Sequence, residues 1–342
     1  MTAIIDGKYH YLWSSKEVPD SRGGTERLTE RLSQEIDQEL LSKFIIISSR
    51  LHPDENVFLR DDKIRIFWAH DLPGDPAMDF LKTNKKDWFH KYVFVSTWQM
   101  QRAIEMYNLP WEKCIVIQNA IDPINISPKP SISEGIRFVY HSVPRKGLNI
   151  VIAAFEQLAK KYPNVHLDVY SSYNLYGWPN ADEELGFNDL FTMIDEHPQM
   201  TNHGAVENDR VRIALNDAHV WVHPASFAET SCMCLMEAMS AGAVCVHSNY
   251  GAMYETAANW TQMYQFSPDQ RAHAGILLAN LEGVVQNIEP MLANTGSQKA
   301  FADVFYSWTN RKLEWNALLQ GLVNTIKDTS VPQEMFTIKT GT

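Results

Sequence analysis

The sequence predicts an α/β protein of two domains. Its 342 residues are enough for about two domains, each able to bury its own core. Short apolar segments of strand length alternate with helical segments over residues 2–117, and the alternation starts again at residue 136. Residues 123–134 between the two series contain three prolines and several serines, a composition typical of a linker.

Composition excludes several classes of protein. The formal net charge of −11 argues against a general nucleic-acid binder, which would present a basic face. The Cys232-Met-Cys234 pair lacks a second pair of ligands, so the cysteines are expected to be small buried hydrophobes rather than zinc ligands. No secretory segment follows Met1, and no apolar run approaches about 18 residues. We therefore expect a soluble, reduced, cytoplasmic protein.

The first series contains two candidate ligand contacts. Predicted strands at 2–5 and 9–13 lead to Gly23-Gly24 and to a helix whose apolar face includes Leu28 and Leu32. Paired glycines before a helix let backbone approach a ligand closely, although an ordinary turn fits equally well. The strand at 64–68 ends in Ala69-His70-Asp71, at the sheet edge where α/β proteins bind ligands; a structural role for His70 is the alternative.

Two further segments are open to more than one interpretation. Residues 82–91 form the most basic stretch and contain Trp88 and Phe89. A solvated helix face is the favoured interpretation, and a patch that touches an anionic membrane or a lipid-linked acceptor is the alternative. Residues 171–190 are long, aromatic and polar, and we expect them to form a loop over a cleft.

The second series begins with a strand at 136–140, followed by Arg145 and Lys146 and then by a helix over 148–159. The apolar positions of that helix follow the 3.6-residue period closely. Two fixed cations at this strand-to-helix turn are suited to holding a diphosphate as it leaves. Two exposed cations before a helix remain the alternative.

The rest of the chain is organised around residues 220–255. A strand at 220–223 is followed by a loop, by Thr230-Ser231, which favour capping a helix, and by a helix and a second strand at 243–246. Glu229 lies at the mouth of this helix and Glu237 about two turns inside it. A helix N-terminus seats a phosphate, whereas carboxylates suit hydroxyl groups. The pattern therefore indicates a ligand with hydroxyls at both ends of a diphosphate, unless both glutamates are simply solvated.

These residues resemble a known family. Seven residues separate Glu229 from Glu237, with Pro-x-Ser before them and Ala-Met-x-Ala-Gly after them. The pattern is similar to the E-x7-E signature of retaining GT-B glycosyltransferases of family GT4, the glycosyl transferases group 1. Gly23-Gly24, His70 and Lys146-Gly147 resemble further motifs of that family. The chain departs from the pattern at Ala120, where the family has glycine, and at 141–143, where His-Ser-Val replaces Gly-Arg-Leu.

The resemblance implies a GT-B fold, with two Rossmann-like domains that face a central cleft. It places an acceptor-side domain at 1–130, a donor domain at 131–305, a helix that crosses back to the first domain at 306–327, and a tail at 328–342. The implied catalytic residues are His70, Arg145, Lys146 and Glu229. The implied donor-binding residues are Gly23, Gly24, Val206, Thr230, Ser231, Cys232 and Glu237.

The activity that the resemblance implies is the transfer of a sugar, with retention, from a nucleotide diphosphate to an acceptor hydroxyl. The acceptor would be a glycan or a lipid-linked or protein-linked group, with at most peripheral membrane contact and no nucleic acid. No cofactor or metal is expected, since no D-x-D motif occupies a suitable strand end. A GT-B epimerase or phosphorylase, or a non-catalytic nucleotide-sugar-binding relative, remains the alternative.

Overall fold

A computed structural model describes residues 2–12, 23–51, 60–125, 127–176, 180–330 and 332. Its strands form two six-stranded sheets. Each sheet has helices packed on it and buries its own apolar clusters. The predicted GT-B architecture, with two Rossmann-like domains, is thus confirmed. Among the residues described, no helix combines the length and the apolar character that a bilayer span requires.

The first sheet has the strand order β2-β1-β3-β4-β5-β6. Its strands are β1 (Thr2–Ile5), β2 (Lys8–Tyr11), β3 (Phe44–Ser48), β4 (Ile64–Ala69), β5 (Lys91–Phe94) and β6 (Cys114–Val116). Strands β3 to β6 are parallel, but β1 runs antiparallel to both β2 and β3. The regular alternation predicted for the N-terminus is therefore wrong at its start, where the chain forms a hairpin.

That hairpin turns at Asp6 and Gly7, whose φ angles are 51° and 79°. Two successive residues with positive φ match the twist of a tight hairpin, and Asp-Gly is a residue pair that adopts this turn readily. The strand predicted to extend to residue 13 ends at Tyr11, and residues 13–22, which include the start of the predicted Gly-Gly loop, lie outside the described residues.

The first domain has helices α1 (Gly24–Glu35), α2 (Gln38–Leu41) and α3 (Thr97–Tyr107). Leu28 and Leu32 of α1 are buried, as their spacing predicts. The basic stretch at 82–91 forms 3₁₀ turns instead of a regular helix, and it buries Trp88 and Phe89 while its lysines face outward. These two aromatic rings belong to the core, so the membrane-patch alternative loses the side chains on which it depended.

The second sheet is entirely parallel and has the strand order β12-β11-β10-β7-β8-β9. Its strands are β7 (Ile136–His141), β8 (Val165–Tyr170), β9 (Met200–Asn202), β10 (Val220–His223), β11 (Val244–Ser248) and β12 (Gln262–Tyr264). Numbered from β7, the order is that of a doubly wound nucleotide-binding sheet. Its direction reverses between β7 and β10, the position where such sheets bind ligands.

Nine helices follow the strands of this domain within the described residues. They are α4 (Leu148–Lys161), α5 (Ala181–Glu184), α6 (Asn188–Glu196), α7 (Asn208–Asp217), α8 (Met233–Ser240), α9 (Met253–Ala257), α10 (Gln270–Gln286), α11 (Ile288–Ala293) and α12 (Thr295–Phe305). The apolar face predicted for α4 is buried against the sheet. These helices cover both faces of the sheet and leave its carboxyl edge open.

The final helix, α13 (Trp308–Thr325), returns to the first domain, as predicted. The Trp315 ring packs edge-on against that of Trp68 on β4, with 4.9 Å between centroids. Leu319 belongs to the same buried cluster. The domain limits at residues 130, 305 and 327 stay a prediction, since the two sheets fix only which strands belong together. Most of the tail at 328–342 lies outside the described residues.

A second contact ties the domains together near this crossing. Both carboxylate oxygens of Glu255 on α9 accept hydrogen bonds from the first domain, one from the Thr97 amide at 2.8 Å and the other from the Trp98 amide at 3.1 Å. These amides open α3, where the helix leaves N–H groups without an internal partner. A side chain of the second domain thus caps a helix of the first.

Candidate functional site

A cavity of about 590 Å³ lies between the carboxyl edges of the two sheets. Every candidate residue derived from the sequence lines it: Gly23, Gly24, His70, Arg145, Lys146, Val206, Glu229, Thr230, Ser231, Cys232 and Glu237. The volume falls within the range of about 300–1,000 Å³ that ligand sites usually occupy. The structure therefore brings together side chains from distant parts of both domains.

An ion pair lies at the centre of the cavity wall. The Lys146 Nζ is 2.9 Å from Oε1 and 3.0 Å from Oε2 of Glu229, and His223 Nε2 is 3.2 Å from Oε1. Burial raises the pKa of Glu229, but the nearby Lys146 ammonium and His223 outweigh it and lower that pKa to about 2. Burial lowers the pKa of Lys146, and the Glu229 carboxylate outweighs it and raises it above the usual range. Both groups are charged at neutral pH.

Backbone geometry holds Glu229 in place. The loop after β10 passes through Ala225, a residue with φ of 48°, and Glu229 then pairs with the start of α9 through a 2.7 Å bond from the Ala252 amide to its carbonyl. A Cβ on Gly251 would lie 2.5 Å from the amide nitrogen and the carbonyl oxygen of Glu229. Gly251 also has φ of 68°. Only glycine permits so close an approach at that angle.

The mouth of α8 differs from the prediction. Its N-cap is Cys232, without a side-chain cap bond, so the expected capping by Thr230 and Ser231 is wrong. Thr230 instead donates its hydroxyl to the carbonyl oxygen of His70 in the first domain, at 3.0 Å. With no side chain capping them, the first amides of α8 stay free to face a ligand, and the threonine ties the two walls of the cavity together.

Glu237 lies in the second turn of α8 beside a buried histidine. The Nε2 atom of His141 is 3.6 Å from Glu237 Oε2. The indole N–H of Trp221 donates to the other ring nitrogen of His141, Nδ1, at 3.0 Å. His141 is at the carboxyl end of β7, where the sequence departs from the Gly-Arg-Leu pattern, so the departure adds a buried partner for the second glutamate.

Arg145 and Lys146 share an aromatic neighbour. The Arg145 guanidinium lies 5.0 Å and the Lys146 ammonium 5.5 Å from the centre of the Phe227 ring. Cations are attracted to the face of an aromatic ring. Phe227 thereby keeps both cations at the cavity wall, while Lys146 is partly neutralised by Glu229 and Arg145 is the cation left for an anionic ligand.

The glycine pair of the first domain faces the second domain at close range. A Cβ on Gly23 would lie 3.1 Å from the ring of Tyr176, and a Cβ on Gly24 would lie 3.2 Å from the sulfur of Met233. Tyr176 belongs to the segment predicted to cross the cleft, and it lines the cavity; residues 177–179 of that segment lie outside the described residues. The glycines allow the two walls to approach each other here.

His70 is buried beside Trp68, with 4.5 Å between the ring centroids. Burial lowers its pKa to about 3, so the imidazole is neutral at physiological pH. Its Nε2 atom has no hydrogen-bond partner among the described residues. A neutral histidine of this kind can exchange a hydrogen bond with a sugar hydroxyl. Asp71, the neighbouring candidate, pairs with Arg50 at 3.5 Å.

One cluster of potential metal ligands overlaps the site. Ligand-type atoms of His223, Glu229 and Cys232 lie within 4.8 Å of one another. However, Lys146 already neutralises both carboxylate oxygens, and a cation at this position would lie beside its ammonium group. The donor set therefore fits a metal poorly.

Sequence reasoning missed several residues of the cavity wall. His223 ends β10 and Phe227 lies in the loop after it; both were within the stretch around Glu229 but carried no periodic signal. Tyr170 stacks on His203 with centroids 4.3 Å apart, beside Val206. Their position at strand ends could have indicated them, whereas their partnership depends on the parallel pairing of β8 with β9.

Comparison with known proteins agrees with this geometry. Residues 124–281 match the family model described as "Glycosyl transferases group 1". These residues form a glycosyl transferases group 1 domain. The resemblance inferred from the E-x7-E pattern is confirmed, and Lys146, Glu229 and Glu237 all lie inside the matched region.

Two curated relatives overlap the group 1 domain, and both are subunits of phosphatidylinositol N-acetylglucosaminyltransferase. The human protein is 26% identical over 199 residues, which cover 56% of this chain and 39% of the relative. Its namesake from Arabidopsis thaliana is 23% identical over 200 residues, covering 56% of this chain and 42% of the relative. The match thus spans less than half the length of either relative.

Solved structures support the fold over most of the chain. A glycosyltransferase from Rickettsia africae superposes with a TM-score of 0.65 at 12% identity, covering 93% of this chain and 85% of that one. Anabaena Alr3699/HepE, in complex with UDP-glucose, gives a TM-score of 0.62 at 16% identity, with coverage of 86% and 83%. At these identities the likeness establishes the GT-B fold and leaves substrates to the chemistry of the site.

Proposed function

We propose that this protein is a retaining glycosyltransferase, which moves a sugar from a nucleoside diphosphate to an acceptor hydroxyl. The observation that carries the proposal is the convergence of Arg145, Lys146, Glu229 and Glu237 on one cavity between two Rossmann-like domains. A nucleotide sugar presents hydroxyls, then two phosphates, then a ribose. The cavity offers acceptors, cations and a further acceptor, so its chemistry complements that of the donor.

In this proposal the donor diphosphate lies against Arg145 and the first amides of α8. Helix amides and a fixed guanidinium stabilise the negative charge that grows on the departing phosphate. Lys146 contributes its charge while keeping Glu229 ionised. Glu229 orients the transferred sugar through its hydroxyls, His70 contacts the sugar from the opposite wall, and Gly23 and Gly24 close on the donor.

The reaction we propose is front-face attack. The acceptor oxygen forms a bond to the anomeric carbon on the side from which the phosphate leaves, and the carbon–oxygen bond to that phosphate breaks. The acceptor proton passes to the departing phosphate oxygen. The buried state of Glu229, with both oxygens engaged by Lys146 and His223, disfavours it as a covalent nucleophile and supports this course over double displacement.

We further propose that transfer needs no metal ion. The cations at the diphosphate position are side chains, and the cluster of His223, Glu229 and Cys232 fits a metal poorly because of Lys146. Turnover that survives treatment with a chelator would agree with this proposal. Loss of turnover that added Mg²⁺ or Mn²⁺ restores would contradict it.

The names of the relatives suggest which substrates to test first. The Anabaena structure contains UDP-glucose, and the human relative is named for N-acetylglucosamine transfer to phosphatidylinositol. UDP-glucose and UDP-N-acetylglucosamine, followed by GDP- and ADP-sugars, form the donor panel for thermal-shift assays. A donor at a hundred times its dissociation constant stabilises the fold by about 2.7 kcal/mol. Transfer would then be measured with phosphatidylinositol and with soluble glycans as acceptors.

The same assay separates the rival functions. Release of nucleoside diphosphate together with a product that keeps the donor's anomeric configuration supports the proposal. A new epimer formed without acceptor would instead identify an epimerase, and dependence on inorganic phosphate a phosphorylase. Nucleotide binding without release from any donor would favour a non-catalytic relative. The expected cytoplasmic location stays a prediction, for which fractionation of cells that express the protein is the direct measurement.

A further inference from the structure

Glu237, proposed above to bind the donor ribose, has a neighbour that holds a lone hydrogen-bond donor. His141 is 7% exposed, and its Nε2 atom lies 3.6 Å from Glu237 Oε2. That nitrogen is buried and has no hydrogen-bond partner among the described residues. A buried ring nitrogen without a partner costs free energy, so its position toward a carboxylate at the cavity wall calls for a physical reason.

Trp221 determines which form of the imidazole is present. Its indole N–H can only donate, and it donates to Nδ1 of His141 at 3.0 Å. A nitrogen that accepts a hydrogen bond carries no proton of its own. The single proton of a neutral His141 is therefore on Nε2, the atom that faces Glu237. Trp221 is completely buried on β10, next to β7, so this arrangement belongs to the rigid sheet.

We propose that His141 is a positioning residue, which holds one oxygen of Glu237 by its Nε2–H and leaves the other oxygen for a ribose hydroxyl. A small rotation of the Glu237 side chain brings the 3.6 Å separation within hydrogen-bonding distance. A carboxylate fixed at one oxygen loses less rotamer freedom when its second oxygen binds a ligand. This inference rests on the proposed function, and it concerns the recognition of the nucleotide rather than the chemical step.

Two substitutions separate the two hydrogen bonds of the imidazole. His141→Asn offers an acceptor near the position of Nδ1, which satisfies Trp221, but it lacks a donor at the position of Nε2. His141→Gln extends far enough to place an amide donor near Nε2. The first variant therefore keeps the support of the sheet and loses the contact with Glu237, whereas the second restores that contact.

The test is calorimetric binding of UDP, GDP and ADP, each compared with its 2′-deoxy and 3′-deoxy counterparts. In the wild-type protein a missing ribose hydroxyl should weaken binding about tenfold or more, because it removes a hydrogen bond to a charged group. We expect His141→Asn to reduce this ratio to about twofold and His141→Gln to restore most of it. Glu237→Ala should abolish it.

Each outcome supports or overturns a particular claim. If His141→Asn discriminates against the deoxynucleotides as the wild type does, the positioning role is wrong while the proposed function stands. If no nucleoside diphosphate binds the wild-type protein, the proposed function and this inference both fail. Nitrogen-15 NMR of the wild-type protein provides a measurement that needs no variant. It should show the His141 proton on Nε2, and a proton on Nδ1 would overturn the proposal.

Discussion

Lys146 and Glu229 lie 83 positions apart in the chain and form a buried ion pair, with Lys146 Nζ 2.9 Å and 3.0 Å from the two carboxylate oxygens. The sequence suggested that these residues bind different parts of a ligand, one the diphosphate and the other the sugar. The structure joins them before any ligand is bound. Each therefore sets the charge and position of the other, and a substitution at one changes both.

Loss of Lys146 should affect stability as well as turnover. Lys146→Ala leaves the Glu229 carboxylate buried beside His223 alone, and removing one partner of a buried pair costs about 3–5 kcal/mol. It should also lower kcat by about 10²–10³ if this cation stabilises the transition state. Urea unfolding and initial-rate kinetics measure the two effects.

A double substitution separates these effects. Lys146→Met combined with Glu229→Gln removes both charges, so it should recover much of the lost stability while turnover stays low. If the double variant regains turnover along with stability, the role of Lys146 is structural and the catalytic proposal for it is wrong.

The same pair predicts a dependence of stability on pH. The pKa of Glu229 is lowered to about 2 in the folded protein, from a usual value of 4.5, so the unfolded chain binds this proton more readily. The stabilisation is therefore fully present above pH 4.5 and is lost as the pH falls toward 2. Between about pH 6 and about pH 3 the wild type should lose about 2 kcal/mol more than Glu229→Gln does. Urea unfolding at both pH values checks this, and equal losses would contradict the shift.

The glycine pair predicts a steric effect with a matched control. Gly24→Ala places a methyl group 3.2 Å from the Met233 sulfur, which pushes the two walls of the cavity apart. We expect weaker binding of the donor nucleotide, and we expect Met233→Ala in the same chain to recover it. Gly321→Ala on α13 meets nothing within 4 Å and should instead stabilise the protein by about 0.5–1 kcal/mol. Calorimetry and thermal unfolding distinguish the two positions.

The sequence predicted what local periodicity determines and missed what partnership determines. The helical face of α4 and the strands around Glu229 follow from apolar spacing, and the candidate residues follow from strand ends and a specific pattern. The Asp6-Gly7 hairpin was present as a turn signal, but the alternation of the rest of the chain obscured it. The pairing of Trp221 with His141 could not be predicted, because it depends on β7 lying beside β10, and the two residues are 80 positions apart.

The contact of Glu255 with α3 gives a last prediction, on how the two domains are held together. Its carboxylate oxygens accept hydrogen bonds from the Thr97 and Trp98 amides, where the partial positive charge of the helix N-terminus favours an anion. Glu255→Ala should lower the free energy of unfolding by about 1–2 kcal/mol, and Glu255→Gln by less, since an amide oxygen still accepts one bond. Glu105→Ala on the exposed face of the same helix is the control, with an expected change within about 0.5 kcal/mol. If Glu255→Ala is as mild as the control, the contact does not stabilise the arrangement of the domains. If it is costly, one carboxylate of the donor domain helps to fix the wall of the first domain against which the cavity forms.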